Sequence, residues 1–272
     1  MLIKSSKGTA YKFSGLKNSP VVVLIHGLGL HHAIWDDYLL ALETQFQVLS
    51  YDLLGHGASG PPPTLLDLSA FANQLKALLD ELNIKRCAIV GFSLGGMINR
   101  RFAMDYPGRT WALAILNSPH ERGPEAQTLV EKRATDTARG GPGANLNETI
   151  ERWFTAEFRK GNDSYLEKIR AWVLANQAEY YAQSRLVLAK GVLELINPNI
   201  ALAEPTLVIS CENDSGSTPA MAHGIAAEII GSQTHIVPNL QHMGLVEQPQ
   251  QFINLLLAFL SSVKMSIEHE EK

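Results

Sequence analysis

Nowhere in the 272 residues do about eighteen consecutive apolar side chains occur, so the sequence offers no membrane-spanning helix. The stretch from Met1 to Gly8 carries two lysines and no apolar core, and it does not read as a secretory signal. Cysteine is scarce. Cys87 and Cys211 each sit inside a strand-like apolar run, which favours buried free thiols of a cytoplasmic protein over a disulfide. Neither charge sign dominates: 23 lysines and arginines against 27 acidic residues leave a net charge of −4. That balance gives no reason to expect nucleic acid or an anionic membrane as partner. No internal repeat is visible.

What is present is ample apolar material, 46% of the chain, in an order that alternates between two periods. Short, non-alternating, β-branched runs occur at 21–25, 46–51, 87–90, 111–116, 206–210 and 234–237, which suits strands covered on both faces. Between the second and third, Phe71, Leu75, Leu78, Leu79 and Leu82 form one helical stripe, with Ser69 as the expected cap. Strand–helix alternation predicts an α/β fold around a mainly parallel sheet with right-handed crossovers. The alternation fails over 119–203. That stretch opens on a segment rich in Gly and Arg around Arg139-Gly140-Gly141-Pro142-Gly143, then reads as amphipathic helix over 149–158 and 165–195. A helical lid of residues 119–203, inserted into a core of 1–118 and 204–272, is the expected organisation. His269-Glu270-Glu271-Lys272 reads as a frayed, solvated tail.

The chemistry centres on Gly91-Phe92-Ser93-Leu94-Gly95-Gly96, a G-x-S-x-G bend between a strand and a helix-capable stretch. Such a bend exposes a serine hydroxyl at the end of a strand, beside the free N–H groups of a helix start. A serine hydroxyl is a weak nucleophile and needs a base, which in turn needs an orienting acid. His242, in the loop after the run at 234–237, is the best-placed histidine. Asp214, after the run at 206–210, is preferred over Glu212 because it lies deeper in the loop. The backbone N–H groups of Leu94 and of Leu28, in His26-Gly27-Leu28-Gly29, are the expected donors to an oxyanion. His26 reads as a brace for that loop. His31 and His32 are consecutive, which argues against one shared metal, and no metal is expected. Trp153 and Phe154, with Trp172, Tyr180 and Tyr181, are candidates for an apolar wall at the substrate, although helix aromatics are commonly plain core. Arg133, Arg139, Arg152, Arg159 and Arg185 are each most simply solvated, but one facing the site would suit a substrate carboxylate.

Taken together, His26-Gly27-Leu28-Gly29, Tyr51-Asp52-Leu53-Leu54-Gly55-His56-Gly57-Ala58-Ser59, the Ser93 bend, Asp214 and His242 resemble the α/β-hydrolase superfamily over nearly the whole chain. Glu151 to Phe158, His223-Gly224-Ile225-Ala226 and the run from His242 to Pro249 look like 3-oxoadipate enol-lactonases and related esterases. The resemblance implies ester or lactone hydrolysis by Ser93, Asp214 and His242 on a small-molecule substrate, without a cofactor. It also implies that Asp52 and the Gly55-His56-Gly57 turn are structural and that Glu247 marks a helix entry. The acid loop, Asp214-Ser215-Gly216-Ser217-Thr218-Pro219, is longer than those lactonases carry, and Phe92 and Leu94 stand where they often have Leu and Met. Serine at 93 disfavours the dehalogenase and epoxide-hydrolase relatives, which use aspartate. Carbon–carbon bond hydrolases, perhydrolases and cofactor-free haloperoxidases share the triad, and an acyltransferase or a non-catalytic binding member of the fold is also compatible.

Overall fold

The computed structural model describes residues 1–63, 65–198 and 200–270, with side chains through residue 266. Eight strands form one sheet: β1 (Ile3–Lys4), β2 (Ala10–Gly15), β3 (Val21–Ile25), β4 (Gln47–Tyr51), β5 (Cys87–Phe92), β6 (Thr110–Leu116), β7 (Thr206–Cys211) and β8 (Gln233–Val237). Their order is β1-β2-β4-β3-β5-β6-β7-β8, parallel from β4 through β8, with β1 and β2 antiparallel at one edge. The six parallel strands are those the apolar runs predict. The edge pair lacks that signal because β2 carries Lys12 and Ser14 and only its first residues are buried. β3 and β5, in contrast, are buried at every position, which is the reason their runs do not alternate.

Strand order also locates the crevice. From β3 the chain moves outward to β4, then returns past β3 to lay down β5 and continues the other way. Two helices therefore diverge above the carboxyl ends of β3 and β5, leaving a cleft at the switch point. The helices are α1 (Asp36–Leu42), α2 (Leu68–Glu81), α3 (Leu94–Asp105), α4 (Pro124–Gly140), α5 (Leu146–Trp153), α6 (Ala156–Gly161), α7 (Asp163–Leu174), α8 (Ala178–Lys190), α9 (Pro219–Ala227), α10 (Gly244–Glu247) and α11 (Pro249–Glu270). The stripe on α2 is buried as expected, but its cap is Asp67, whose carboxylate accepts the Ala70 N–H at 2.6 Å; Ser69 lies in the first turn. Between β6 and β7 the chain is helical. α4 ends in the segment rich in Gly and Arg: Arg139 and Gly140 close the helix, and Gly141 stands as its C-cap. The 149–158 helix is broken at Phe154, which is extended (φ −119°, ψ 141°), and Thr155 caps a new start at α6. The 165–195 stretch divides likewise between α7 and α8. At the C-terminus the backbone of α11 is helical to Glu270, while the side chains of His269 and Glu270, and all of Glu271 and Lys272, lie outside the described residues.

The bend between β5 and α3 decides the site. Ser93 has φ +54° and ψ −112°, a conformation that L-residues rarely occupy. It is pinned by its N–H, which donates to the Leu116 carbonyl at 2.8 Å. A Cβ on Gly91 would overlap the Gly95 carbonyl, and one on Gly95 would overlap the carbonyl of Ile25 on β3. Backbone rather than a flexible side chain is in the way, so no rotamer change relieves the clash. Gly95→Ala is expected to cost about 3 kcal/mol and to lower the melting temperature by on the order of 10 °C. Differential scanning fluorimetry checks this, and an unchanged melting temperature would show that β3 gives way.

Candidate active site

Ser93, Asp214 and His242 arrive at one rim of the sheet because each directly follows a parallel strand or its short loop: β5, β7 and β8. Ser93 Oγ lies 3.1 Å from His242 Nε2, and His242 Nδ1 lies 2.7 Å from Asp214 Oδ2. All three residues are buried. Asp214 Oδ1 accepts the N–H groups of Gly216 and Ser217 at 2.8 and 2.9 Å. Its Oδ2 also accepts Asn117 Nδ2 at 2.8 Å. Burial alone would raise the Asp214 pKa; the charge of His242 and hydrogen bonds from His242, Asn117 and the Ser217 N–H outweigh it and hold the group below its ordinary value. An ionised Asp214 is an acceptor only, so His242 carries its proton on Nδ1 and turns a bare Nε2 toward the serine. Glu212 is engaged elsewhere, its carboxylate accepting the Asn239 N–H at 2.9 Å on the exposed side of the loop.

Asn117 is the polar residue that sequence reasoning missed. It directly follows β6, with φ +45° and its N–H bonded to the Ile209 carbonyl. An asparagine just past an apolar run is a usable signal, because asparagine tolerates the left-handed region better than most residues.

The imidazole is flanked by rings, Phe92 at 4.9 Å and Trp153 at 6.1 Å between centroids. A cavity of about 550 Å³ opens beside it, lined by Leu28, Ser93, Trp153, Tyr181 and His242 among others. Phe154, expected beside Trp153, does not line it. Successive residues leaving a helix in extended chain point to opposite sides, and Phe154 is fully buried, stacked on Phe158 at 5.2 Å. Trp172 packs instead on His31 at 4.1 Å, and Tyr180 lies against Gly55. Of the arginines singled out, Arg133, Arg152 and Arg185 line the cavity together with Arg122, which the sequence did not mark; Arg139 and Arg159 do not. Leu94 is the first residue of α3, so its N–H has no partner within the helix. On the loop carrying Leu28, a Cβ on Gly27 would stand 3.3 Å from Ser93 Cβ, so that loop touches the serine directly.

Residues 22–255 match the model of the alpha/beta hydrolase family. The chain belongs to that family. It is 26% identical to 3-oxoadipate enol-lactonase 1 of Acinetobacter baylyi over 261 residues, 96% of each chain. Among solved structures it is similar to the enol-lactonase of Burkholderia xenovorans LB400, with TM-score 0.84, 28% identity and coverage of 93% of this chain and 96% of the other. A thermophilic esterase from Thermogutta terrifontis, with malate bound, gives TM-score 0.84 at 27% identity over 97% and 99% of the two chains. No helix among the described residues is long and apolar enough to cross a membrane.

In this alpha/beta hydrolase Glu247 does more than mark a helix entry. Its carboxylate accepts the N–H and Oγ1–H of Thr155 at 2.8 and 2.6 Å, and the Met243 N–H donates to the Trp153 carbonyl at 2.8 Å. These bonds stitch the corner between α5 and α6 to the His242 loop and hold Trp153 against the imidazole. A second buried network supports the Leu28 loop. His26 Nε2 accepts the Leu53 N–H at 3.0 Å, so Nδ1 is protonated and donates to the Gly27 carbonyl at 2.7 Å. Asp52 Oδ1 takes the N–H and Nδ1 of His32 at 2.8 and 2.6 Å, and its Oδ2 takes the Ala58 N–H at 2.8 Å. His31, His32 and Asp52 thus do converge, with ligand atoms within 4.8 Å of one another, although they are consecutive in part. Asp52 is already saturated by protein donors, and His31 Nδ1 accepts the Ala33 N–H. The cluster therefore reads as a brace.

Burial, with the charge of His56, depresses the His26 pKa to about 3, and burial depresses that of His56 to about 4, against 6.5 ordinarily. Both stay neutral in the fold while the unfolded chain takes up protons, so stability falls as pH drops below about 6.5. Asp52 is opposed by burial but held at about 2 by His32, the charge of His26 and backbone N–H groups. Its contribution is complete above the ordinary 3.8 and is lost as pH falls toward 2. Urea unfolding midpoints are expected to decline between pH 7 and pH 5, well before the carboxylates titrate; a flat profile over that interval would contradict neutral buried histidines.

Proposed function

We propose that this protein is a serine hydrolase of small carboxylic esters or lactones, acting through an acyl-enzyme. The observation that carries the proposal is the continuous hydrogen-bonded chain Ser93–His242–Asp214, at 3.1 and 2.7 Å, opening into the cavity. Ser93 Oγ attacks the carbonyl carbon as His242 Nε2 takes its proton, and Asp214 stabilises the imidazolium that results. The tetrahedral oxyanion is assigned to the N–H groups of Leu28 and Leu94, on the two sides of the cleft between β3 and β5. Collapse of the intermediate expels the alkoxide, which takes the proton from His242. Water then attacks the acyl-enzyme with His242 as base, regenerating the serine and releasing the acid. In a lactone both products are one molecule, the ring-opened hydroxy acid.

Residues 119–203 are assigned as the cap that selects substrate, and 1–118 with 204–272 as the core that performs the chemistry. Support for the cap lies in the lining of the cavity, to which α4, α5 and α8 each contribute. Trp153 is the apolar contact assigned to the substrate. Support for an ester or lactone over other substrates comes from the similarity to the enol-lactonases and to the Thermogutta esterase. Ser93→Ala should lower kcat on a p-nitrophenyl ester by roughly 10⁶-fold, the scale of loss for such nucleophiles, and abolish labelling by a fluorophosphonate. Turnover near wild type in that variant would refute the proposal.

A further inference from the structure

Four guanidinium groups line the cavity that holds Ser93: Arg122 before α4, Arg133 on α4, Arg152 on α5 and Arg185 on α8. Elsewhere in the chain Arg101, Arg109 and Arg170 pair with Asp105, Asp80 and Glu167, while Arg86 and Arg100 spend their N–H groups on backbone carbonyls. Among the described residues no carboxylate lies within 4.0 Å of any of the cavity four. Arg122 is held in place by neutral acceptors, the side-chain oxygen of Gln127 at 3.1 Å and the carbonyls of Ala189 and Leu188 at 3.4 and 3.5 Å. Arg152 donates to Thr149 Oγ1 at 3.3 Å.

The groups also repel one another. Burial, then the charge of Arg185, brings Arg122 down to about 10, with Glu131 opposing. Burial, then Arg185 and Arg133, lowers Arg152, against Glu148 and Asp214. Convergence of like charges costs free energy, and unpaired guanidiniums around a cleft focus a positive potential on it. The acids facing them are few. Glu148, Glu151 and Asp214 line the same cavity, Asp214 with its oxygens already bonded to His242, Asn117 and backbone N–H groups, and Glu131 binds Gln127 and Lys190. Four guanidiniums face three carboxylates on the cavity wall, Glu148, Glu151 and Asp214, so the lining keeps a positive excess and none of the four forks is closed by an acid.

We propose that the cavity takes an ester or lactone bearing two free carboxylates, held by Arg122 and Arg185 within and by Arg133 and Arg152 nearer the surface. The proposal rests on Ser93 as nucleophile and names the substrate class of that site. A guanidinium fork matches a carboxylate bidentately, and four forks from separate elements suit two such groups better than one. The volume, about 550 Å³, fits a small ligand of this kind. Because Arg152, Ser93 and Asp214 line one cavity, the anionic end and the scissile carbonyl share one chamber.

The test compares p-nitrophenyl esters with none, one and two free carboxylates: the butyrate, the succinate monoester and the tricarballylate monoester. At low salt kcat/KM is expected to rise in that order by at least about 100-fold in all, roughly tenfold per charge-assisted contact. Arg185→Gln and Arg122→Gln should each cut the dianion-to-neutral ratio about tenfold, and Arg185→Lys should restore part of it. A neutral ester turned over as well as the dianion, or a monoanion matching it, would overturn the proposal. Binding of tricarballylate itself to Ser93→Ala by calorimetry keeps the two claims apart. Absent turnover and absent fluorophosphonate labelling of the wild type would sink the nucleophile, whereas labelling with no tricarballylate binding would sink the anion site alone.

Discussion

A serine fixed at φ +54° stores strain of about 1–3 kcal/mol, and the bend survives only because its surroundings leave it no alternative. The Leu116 carbonyl holds its N–H, the Ile25 carbonyl stands where a side chain on Gly95 would go, and α3 begins at once. Each of these comes from a different parallel strand or its successor helix. The site is thus a property of the sheet's centre, where the strand order reverses, and the rest of the chemistry is positioned relative to that one bend.

The acid is handled in a complementary way. Asp214 is buried and charged, a costly combination unless its oxygens are filled, and four donors from three loops fill them. Asn117 and the Gly216 and Ser217 amides leave the carboxylate little freedom to turn, which fixes the imidazole through it. Two amides of the acid loop wrap Oδ1, and Ser210 Oγ anchors the wrap on the Ser217 carbonyl at 2.7 Å. The rim also joins the helices between β6 and β7 to the sheet side, since Glu247 and Met243 hold the Trp153–Thr155 corner directly behind His242. A change in that corner would reach the His242 ring through a handful of hydrogen bonds.

The helices between β6 and β7 obey a different logic. They bury apolar side chains such as Ile150, Leu166 and Ile169, yet they turn arginines toward the cavity. Net charge is a poor guide here, because a chain at −4 overall gathers four arginines without carboxylate partners around one cavity.

Local sequence settled whatever depends on short-range period and sterics. The six parallel strands followed from β-branched apolar runs, the bend from its glycines, and the order Ser93, Asp214, His242 from the loops those strands lead into. It misjudged ends and edges: Asp67 rather than Ser69 caps α2, the 149–158 helix breaks at Phe154, and β1 and β2 went unseen because β1 is exposed and β2 is buried only at its start. Tertiary structure alone decided which groups meet across the chain. Asn117 finds Asp214 across 97 residues, Glu247 finds Thr155 across 92, and Arg122 joins three arginines of distant helices around one chamber. No pattern along the chain carries such encounters, because a side chain's partner is set by how layers pack, while its neighbours in sequence fix only the direction in which it starts.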